Sequence, residues 1–315
     1  MNRNYLRKTF SGPIATVPTP FDSEFRVDFA RMTELTNWWV ENGLVTGKSV
    51  IKVAAYGGEG AKLRENEWVH LLQTVVQASK GRATVWGAIH NLDTYQAIEY
   101  AKKAKDVGVE GLQVSPPVFS VDTQDGILKH YGALSSAVDM GILVYNNPWL
   151  TNGAIYPDTF RKMVDFESVI AIKWTNNYRD KNFNPTNDCP YEEIFDLKDK
   201  INIIDNTVQP ILNHKLGGHG YIQTVAPIYP DHDLKISELM DEGNYEKANE
   251  LFNSVFPRIN DLQAKFASTT GNDLDQKEIM QLMGNPAGPK RPPVNPLNSN
   301  EKDELRELIK SFGWL

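Results

Sequence analysis

The chain has 315 residues, of which 41% are hydrophobic and 23% charged, and a formal net charge of −7. An acidic chain whose nearest approach to a basic cluster is the pair Lys290 and Arg291 is poorly suited to nucleic acid, because neutralising phosphates requires clustered Lys and Arg. The balance points to a globular small-molecule enzyme or to a chain with a protein partner.

The single cysteine, Cys189, leaves no internal disulfide to form. No stretch approaches the ~20 apolar residues that span a bilayer. The start, MNRNYLRKTFSG, carries basic residues without the apolar segment of a secretory signal. A cytoplasmic, non-membrane protein is therefore expected. The histidines at 70, 90, 130, 214, 219 and 232 show no metal-binding spacing, so neither a metal nor another cofactor is expected.

In chain order, short apolar, β-branched runs alternate with amphipathic stretches. The expected strands cover 14–18, 49–56, 83–89, 111–115, 142–146, 169–174, 202–205 and 220–225. The expected helices cover 28–42, 65–79, 94–107, 123–137, 157–164, 191–197, 210–215 and 232–240. Near-continuous runs such as IAIKW and GILVY are what strands buried on both faces look like. Eight such units fit a closed (β/α)₈ TIM barrel better than an open doubly wound sheet of about five to seven strands. No Gly-x-Gly-x-x-Gly follows the first strand. Residues 1–240 are read as the barrel and 241–315 as a C-terminal helical extension packed on it. That extension has helices near 245–267, 276–283 and 301–312 and a Pro-rich turn, NPAGPKRPPVNP; its simplest role is packing or oligomer contact.

In this architecture the site lies at the C-terminal ends of the strands. Lys173, inside the apolar run 169–174, is the sharpest signal. Burial penalises an ammonium and releases the neutral amine that attacks carbonyls; a salt-bridged or snorkelling lysine is the competing reading. Lys52 has similar surroundings but precedes the Gly-rich turn by several residues, so it should sit deeper or face the helices. Tyr145 ends the neighbouring fifth strand and could pass protons to an imine intermediate. The turn Tyr56-Gly57-Gly58-Glu59-Gly60 exposes N–H groups suited to a carboxylate, with Glu59 more suited to holding the turn than to acting as a base.

Together these residues resemble the dihydrodipicolinate synthase / N-acetylneuraminate lyase superfamily of class I aldolases. The matching segments are GPIATVPTPFD, GGE after strand two, YNNP after strand five, IAIKW, GGHGYI and PKRPPVNPL. The resemblance implies a homotetramer, no metal, and an imine between Lys173 and the keto carbon of pyruvate or another 2-oxo acid. Three departures bear on the reaction. Tyr56 stands where the synthase has a relay threonine, Leu150 where it has a carboxylate-gripping arginine, and Pro117, Val118 and Phe119 where it has paired tyrosines. They argue against dihydrodipicolinate synthesis itself.

The chain also looks like the trans-o-hydroxybenzylidenepyruvate hydratase-aldolases. Tyr145, Asn147 and Pro148, the aromatic Trp174 after the lysine, Phe119, Asn272 and the turn from Ala287 to Pro293 carry that likeness. It implies a lyase that hydrates an aryl- or apolar-substituted 2-oxo acid and splits it to an aldehyde and pyruvate. Gly57 and Gly58 would hold the carboxylate, Tyr145 with Asn147 would move protons, and Tyr56, Phe119, Trp149, Leu150, Trp174, Ile222 and Asn272 would line the substrate pocket. The alternatives are a 2-keto-3-deoxy sugar acid aldolase or dehydratase, a synthase-like enzyme, and a catalytically silent binding barrel.

Overall fold

The structure, a computed structural model, describes residues 2–90, 93–119, 123–148, 150–151, 153–176, 178–179, 185–186, 189–271 and 276–315. The strands are β1 (Gly12–Thr16), β2 (Val50–Val53), β3 (Thr84–Ile89), β4 (Gly111–Val114), β5 (Gly141–Tyr145), β6 (Val169–Trp174), the two-residue β7 (Tyr178–Arg179) and β8 (Pro185–Thr186), β9 (Asn202–Asp205) and β10 (Gly220–Gln223). All but β7 and β8 are parallel and close into a barrel in the order β1-β10-β9-β6-β5-β4-β3-β2, while β7 and β8 form a separate antiparallel pair. This is the expected TIM barrel.

The crossovers are α2 (Phe29–Glu41), α3 (Glu65–Ser79), α4 (Thr94–Val107), α5 (Gln124–Ala137), α6 (Pro157–Met163), α7 (Pro210–Lys215) and α8 (Pro230–Asp241), after an N-terminal α1 (Arg3–Thr9). Between β6 and β9 the crossover is a 3₁₀ turn, Tyr191–Leu197, where an α-helix was expected. Local chemistry sets the helix ends. Asp28 accepts from the Arg31 N–H, Asp93 accepts from Tyr95 and Gln96, and Gly108 closes α4 at φ +92°, the left-handed conformation glycine adopts most readily. The C-terminal α9 (Tyr245–Thr270) packs on α8, and α10 (Gln276–Leu282) and α11 (Ser299–Ser311) complete the extension.

Alternation along each strand sorts the core into two layers. Ala15, Ile51, Val85, Leu112, Val144, Ile172 and Ile203 face the helices. Ile14, Val50, Trp86, Leu143, Ala171 and Ile204 face inward and meet Leu6 and Phe10. The helix α1 has no counterpart among the expected elements. It closes the lower end of the barrel, with the Phe10 ring 4.1 Å from that of Trp86. Its Arg3 and Arg7 donate to carbonyls of Phe166, Glu167, Lys198 and Asp199.

Trp86 fits inside the barrel because β4 and β5 present glycines beside it. A Cβ on Gly111 would lie 2.4 Å from the indole and one on Gly141 2.7 Å away. Gly111→Ala is expected to lower the unfolding free energy by about 1–3 kcal/mol or more, the usual cost of overpacking a filled core. Chemical denaturation that leaves wild type and variant equally stable would show that the floor is loosely packed.

Candidate active site

The interior face of β6 carries Lys173 to the upper end of the barrel, in register with Tyr145 on β5 and Ile204 on β9. Lys173 is 7% exposed, and among the described residues no carboxylate pairs with it. Burial pulls its pKa from 10.5 down to about 7. The amine is thus substantially neutral near physiological pH, as a nucleophile requires. Its Nζ lies 4.4 Å from the centre of the Tyr145 ring.

Tyr145 is buried, and its Oη accepts a 2.8 Å hydrogen bond from Asn147 Nδ2. Burial pushes its pKa up to about 12, so the phenol keeps its proton for donation. The segment after β5 is tied across the barrel rim. Asn146 Nδ2 donates to the Thr175 carbonyl, Asn146 Oδ1 accepts from the Ile155 N–H, and the Asn147 carbonyl accepts from Leu150 and Thr151. The Tyr-Asn-Asn-Pro signature is therefore one anchored unit that sets the angle of the phenol.

The turn after β2 is held in a strained shape. Ala54 and Glu59 both adopt left-handed backbone, φ +57° and +60°, which costs energy for residues with a side chain. Gly60 has no alternative, since a Cβ there would come 1.7 Å from the Ala54 carbonyl oxygen. The Gly58 N–H donates to the Ala55 carbonyl and the Gly58 carbonyl accepts from Thr19 Oγ1. Both polar groups of Gly58 are thus committed, which corrects its expected role as a carboxylate donor. The Gly57 N–H, in the first part of the 3₁₀ turn Tyr56–Gly58, is of the kind that lacks an acceptor inside its own turn. Tyr56 is 42% exposed at the mouth, close enough for its charge to raise the pKa of Tyr145.

Glu59 is buried and holds the turn rather than facing substrate. Lys277 Nζ lies 2.6 Å and Lys62 Nζ 3.1 Å from its oxygens, and the Arg291 N–H donates to Oε2. Arg291 also forks onto Glu67 of α3, with 2.8 Å bonds to both carboxylate oxygens. Both cations lie over the Phe21 ring, Lys277 at 4.2 Å and Arg291 at 4.3 Å.

Several expected pocket residues are elsewhere. Trp174 follows Lys173 and so points to the opposite face; it packs edge-on against Phe160 and donates to the Tyr191 carbonyl behind the strand. Phe119 is 82% and Leu150 38% exposed. Both stand on the loops above the rim and are exposed, not enclosed, among the described residues. Ile222 does face inward, beside Ile14. Asn272 and Trp149 lie outside the described residues.

Of the two positions expected for Lys52, the structure takes the interior one. Lys52 is 1% exposed, and its Nζ donates to Gln113 Oε1 at 2.9 Å. Burial, then the like charge of Lys173, lowers its pKa well below the usual lysine value. His90, immediately after β3, was missed. Its ring meets Tyr145 edge-on at 5.5 Å, and burial followed by the charges of Lys173 and Lys52 lowers its pKa to about 4. The strand-end rule, applied to the third run as it was to the others, identifies it.

A cavity of about 390 Å³ adjoins this mouth, between Tyr56, Glu59 and Lys62 on one side and Thr269, Thr270 and Pro293 on the other. The larger groove, about 1170 Å³, lies at the opposite end of the barrel among Gly12, Lys48, His214 and Asp241, away from Lys173. Among the described residues no cluster of His, Cys, Asp and Glu is arranged to hold a metal, and no helix is long and apolar enough to cross a membrane.

Comparison with known proteins agrees with this geometry. The chain is 30% identical over 305 residues to a 4-hydroxy-tetrahydrodipicolinate synthase of Heliobacterium modesticaldum, covering 96% of each chain. It is 30% identical to the enzyme of the same name from Methanocaldococcus jannaschii, covering 97% of this chain and all of that one. A solved dihydrodipicolinate synthase structure superposes with a TM-score of 0.82 at 26% identity, covering 97% of this chain and 100% of that one. A profile of the dihydrodipicolinate synthetase family matches residues 9–312. The chain belongs to that family and is an enzyme of the aldolase-type, carbon–carbon lyase class.

Proposed function

We propose that the enzyme forms an imine between Lys173 and the keto carbon of pyruvate or a pyruvate-derived 2-oxo acid, and makes or breaks the carbon–carbon bond at C3 of that unit. The observation that carries the reading is a buried lysine, without a carboxylate partner among the described residues, facing the phenol of Tyr145. No metal or other cofactor is needed for this chemistry, because the protonated imine is itself the electron sink.

The neutral Lys173 amine attacks C2, and Tyr145 gives its proton to the developing carbinolamine oxygen so that it departs as water. Asn147 donates to the Tyr145 oxygen, which steers the phenolic proton away from itself and stabilises the phenolate when the proton is given up. The Gly57 N–H at the head of the turn holds the substrate carboxylate. In cleavage, the C4 hydroxyl gives up its proton to a base and its O–H pair becomes the aldehyde C=O, while the pair from the C3–C4 bond moves into the imine to give the enamine of pyruvate.

On the acceptor side we favour the hydratase-aldolase reaction on a 2-oxo acid whose distal part is uncharged. The support is Leu150, which offers no cation at the position where the family resemblance places an arginine. The exposure of Phe119 and the outward turn of Trp174 remove two residues first assigned to an aromatic pocket, so an aryl tail has less support than an apolar one in general. The second reading is the synthase reaction named for the relatives that are 30% identical. A panel of aldehydes offered with pyruvate, aspartate semialdehyde included, separates the two. A homotetramer forms part of this reading.

Borohydride with pyruvate is expected to add mass at Lys173 and abolish turnover; mass on Lys52 instead, or none, would contradict the assignment. Tyr145→Phe is expected to fold normally and lose at least ~10²-fold in kcat, the usual worth of one positioned acid–base group. Near-normal turnover would reduce Tyr145 to a packing residue.

Lys173→Met is expected to lose all turnover yet gain about 2–4 kcal/mol of unfolding free energy at pH 7, since each unit of displaced pKa is worth about 1.4 kcal/mol. The sign follows from the lowered pKa. Between about 7 and 10.5 the unfolded lysine holds a proton that the folded one has lost, so wild-type stability rises with pH across that window. The gap to the Met variant should therefore narrow in urea melts taken from pH 7 to pH 10; a gap that stays constant would mean that the lysine is charged in the folded protein.

A further inference from the structure

We infer that His90 is the base that takes and returns the proton at C3 of pyruvate bound to Lys173, a role that rests on the imine reading above. Enamine chemistry needs such a base. In the synthetic direction the C3–H pair becomes the C2=C3 bond, the C2=N pair moves to the Lys173 nitrogen, and the proton goes to the His90 Nε2. The products are a neutral enamine and an imidazolium. In cleavage the C4 hydroxyl gives its proton to the neutral His90 as its O–H pair forms the aldehyde C=O and the C3–C4 pair forms the enamine. The imidazolium then gives that proton to C3, the enamine reverts to the protonated imine, and hydrolysis releases pyruvate. Atoms and charge balance in both directions without a co-reactant.

Position supports the assignment. Alternation along β3 puts Trp86 and Ala88 on the interior face and places His90 next in that row, one step above the strand end. Its ring stands edge-on to Tyr145, while the Lys173 Nζ lies over the same phenol ring. The Tyr145 ring thus adjoins both the imine-forming nitrogen and the imidazole, which are near enough to each other to interact electrostatically.

The second observation is an unmet hydrogen bond. The Nε2 of His90 is shut off from solvent and has no hydrogen-bond partner among the described residues. An enclosed polar atom of this kind costs stability, and a site of reaction is one of the places where such a cost is retained. Burial first, and then the nearness of Lys173 and Lys52, keep the ring unprotonated at neutral pH, which is the form that accepts a proton.

The other titratable groups near the mouth have different occupations among the described residues. Glu59 is locked between Lys277, Lys62 and the Arg291 N–H. Lys52 is spent on Gln113, and Tyr145 keeps its proton for the C2 oxygen.

The test uses the intact enzyme and pyruvate alone, so it does not depend on the unknown aldehyde. Deuterium entry into the pyruvate methyl group is followed by proton NMR in D₂O, and borohydride trapping at Lys173 is measured in parallel. Two variants are compared with wild type: His90→Asn, and His90→Phe, which keeps a ring against Tyr145. The expected result is trapping within about 3-fold of wild type and exchange slowed by at least ~10²-fold in whichever variants fold. Exchange that survives would overturn the assignment. So would trapping and exchange that fall together in both variants, the mark of a packing role, or a wild type that traps pyruvate without exchanging its methyl protons. A wild type that does not trap at all removes the imine reading itself, and the role of His90 with it.

Discussion

An amine buried in a closed barrel without a counter-charge is the constraint around which this molecule is arranged. A lysine in such a place must either find a carboxylate or lose its proton. For Lys173 the carboxylate is missing among the described residues and the proton affinity falls. Its neighbours follow suit. The interior offers the upper lysine an aromatic ring, the lower one an amide oxygen from Gln113, and His90 lies within reach of both charges. The barrel is therefore graded along its axis, from an apolar floor of Phe10, Trp86 and Leu143 through the Lys52–Gln113 pair to the reactive level of Lys173, Tyr145 and His90.

That arrangement needs a rigid rim, and the C-terminal extension helps to supply it. Glu59 sits at a left-handed position in the turn after β2 and is held by Lys277 from α10 and by the Arg291 backbone from the Pro-rich segment. Arg291 carries the same network on to α3 through Glu67. Charges this deeply buried are costly unless every one is paired, and removing one partner leaves the rest exposed to that cost. The extension is thus part of the scaffold that keeps the Gly57 end of the site in shape, beyond the packing role its composition suggested.

The fold was legible because strands covered on both faces leave apolar runs that nothing else produces at this spacing. Lys173 and Tyr145 were legible because a charged or polar residue ending such a run stands out. What escaped did so for physical reasons. The two-fold period of a strand sends Trp174 away from the site that holds its neighbour Lys173, and adjacency in sequence conceals that. Phe119 and Leu150 lie on loops, where hydrophobicity does not report burial, and both prove exposed. The helix α1 has too few apolar residues to show a periodicity, since Leu6 and Phe10 do its packing. Gly58 could be read as a turn glycine, but nothing in its sequence context says that its N–H is already bonded within the turn.

The claim on which the account turns is that Lys173 is a neutral amine at working pH. Protein labelled with ¹³C at lysine Cε, with the resonance assigned through Lys173→Met, allows its titration to be followed by NMR. A midpoint near 7 is the result the account predicts. A midpoint near the ordinary lysine value of about 10.4 would contradict it, because the residue would then be a charged, paired barrel lysine and not the nucleophile.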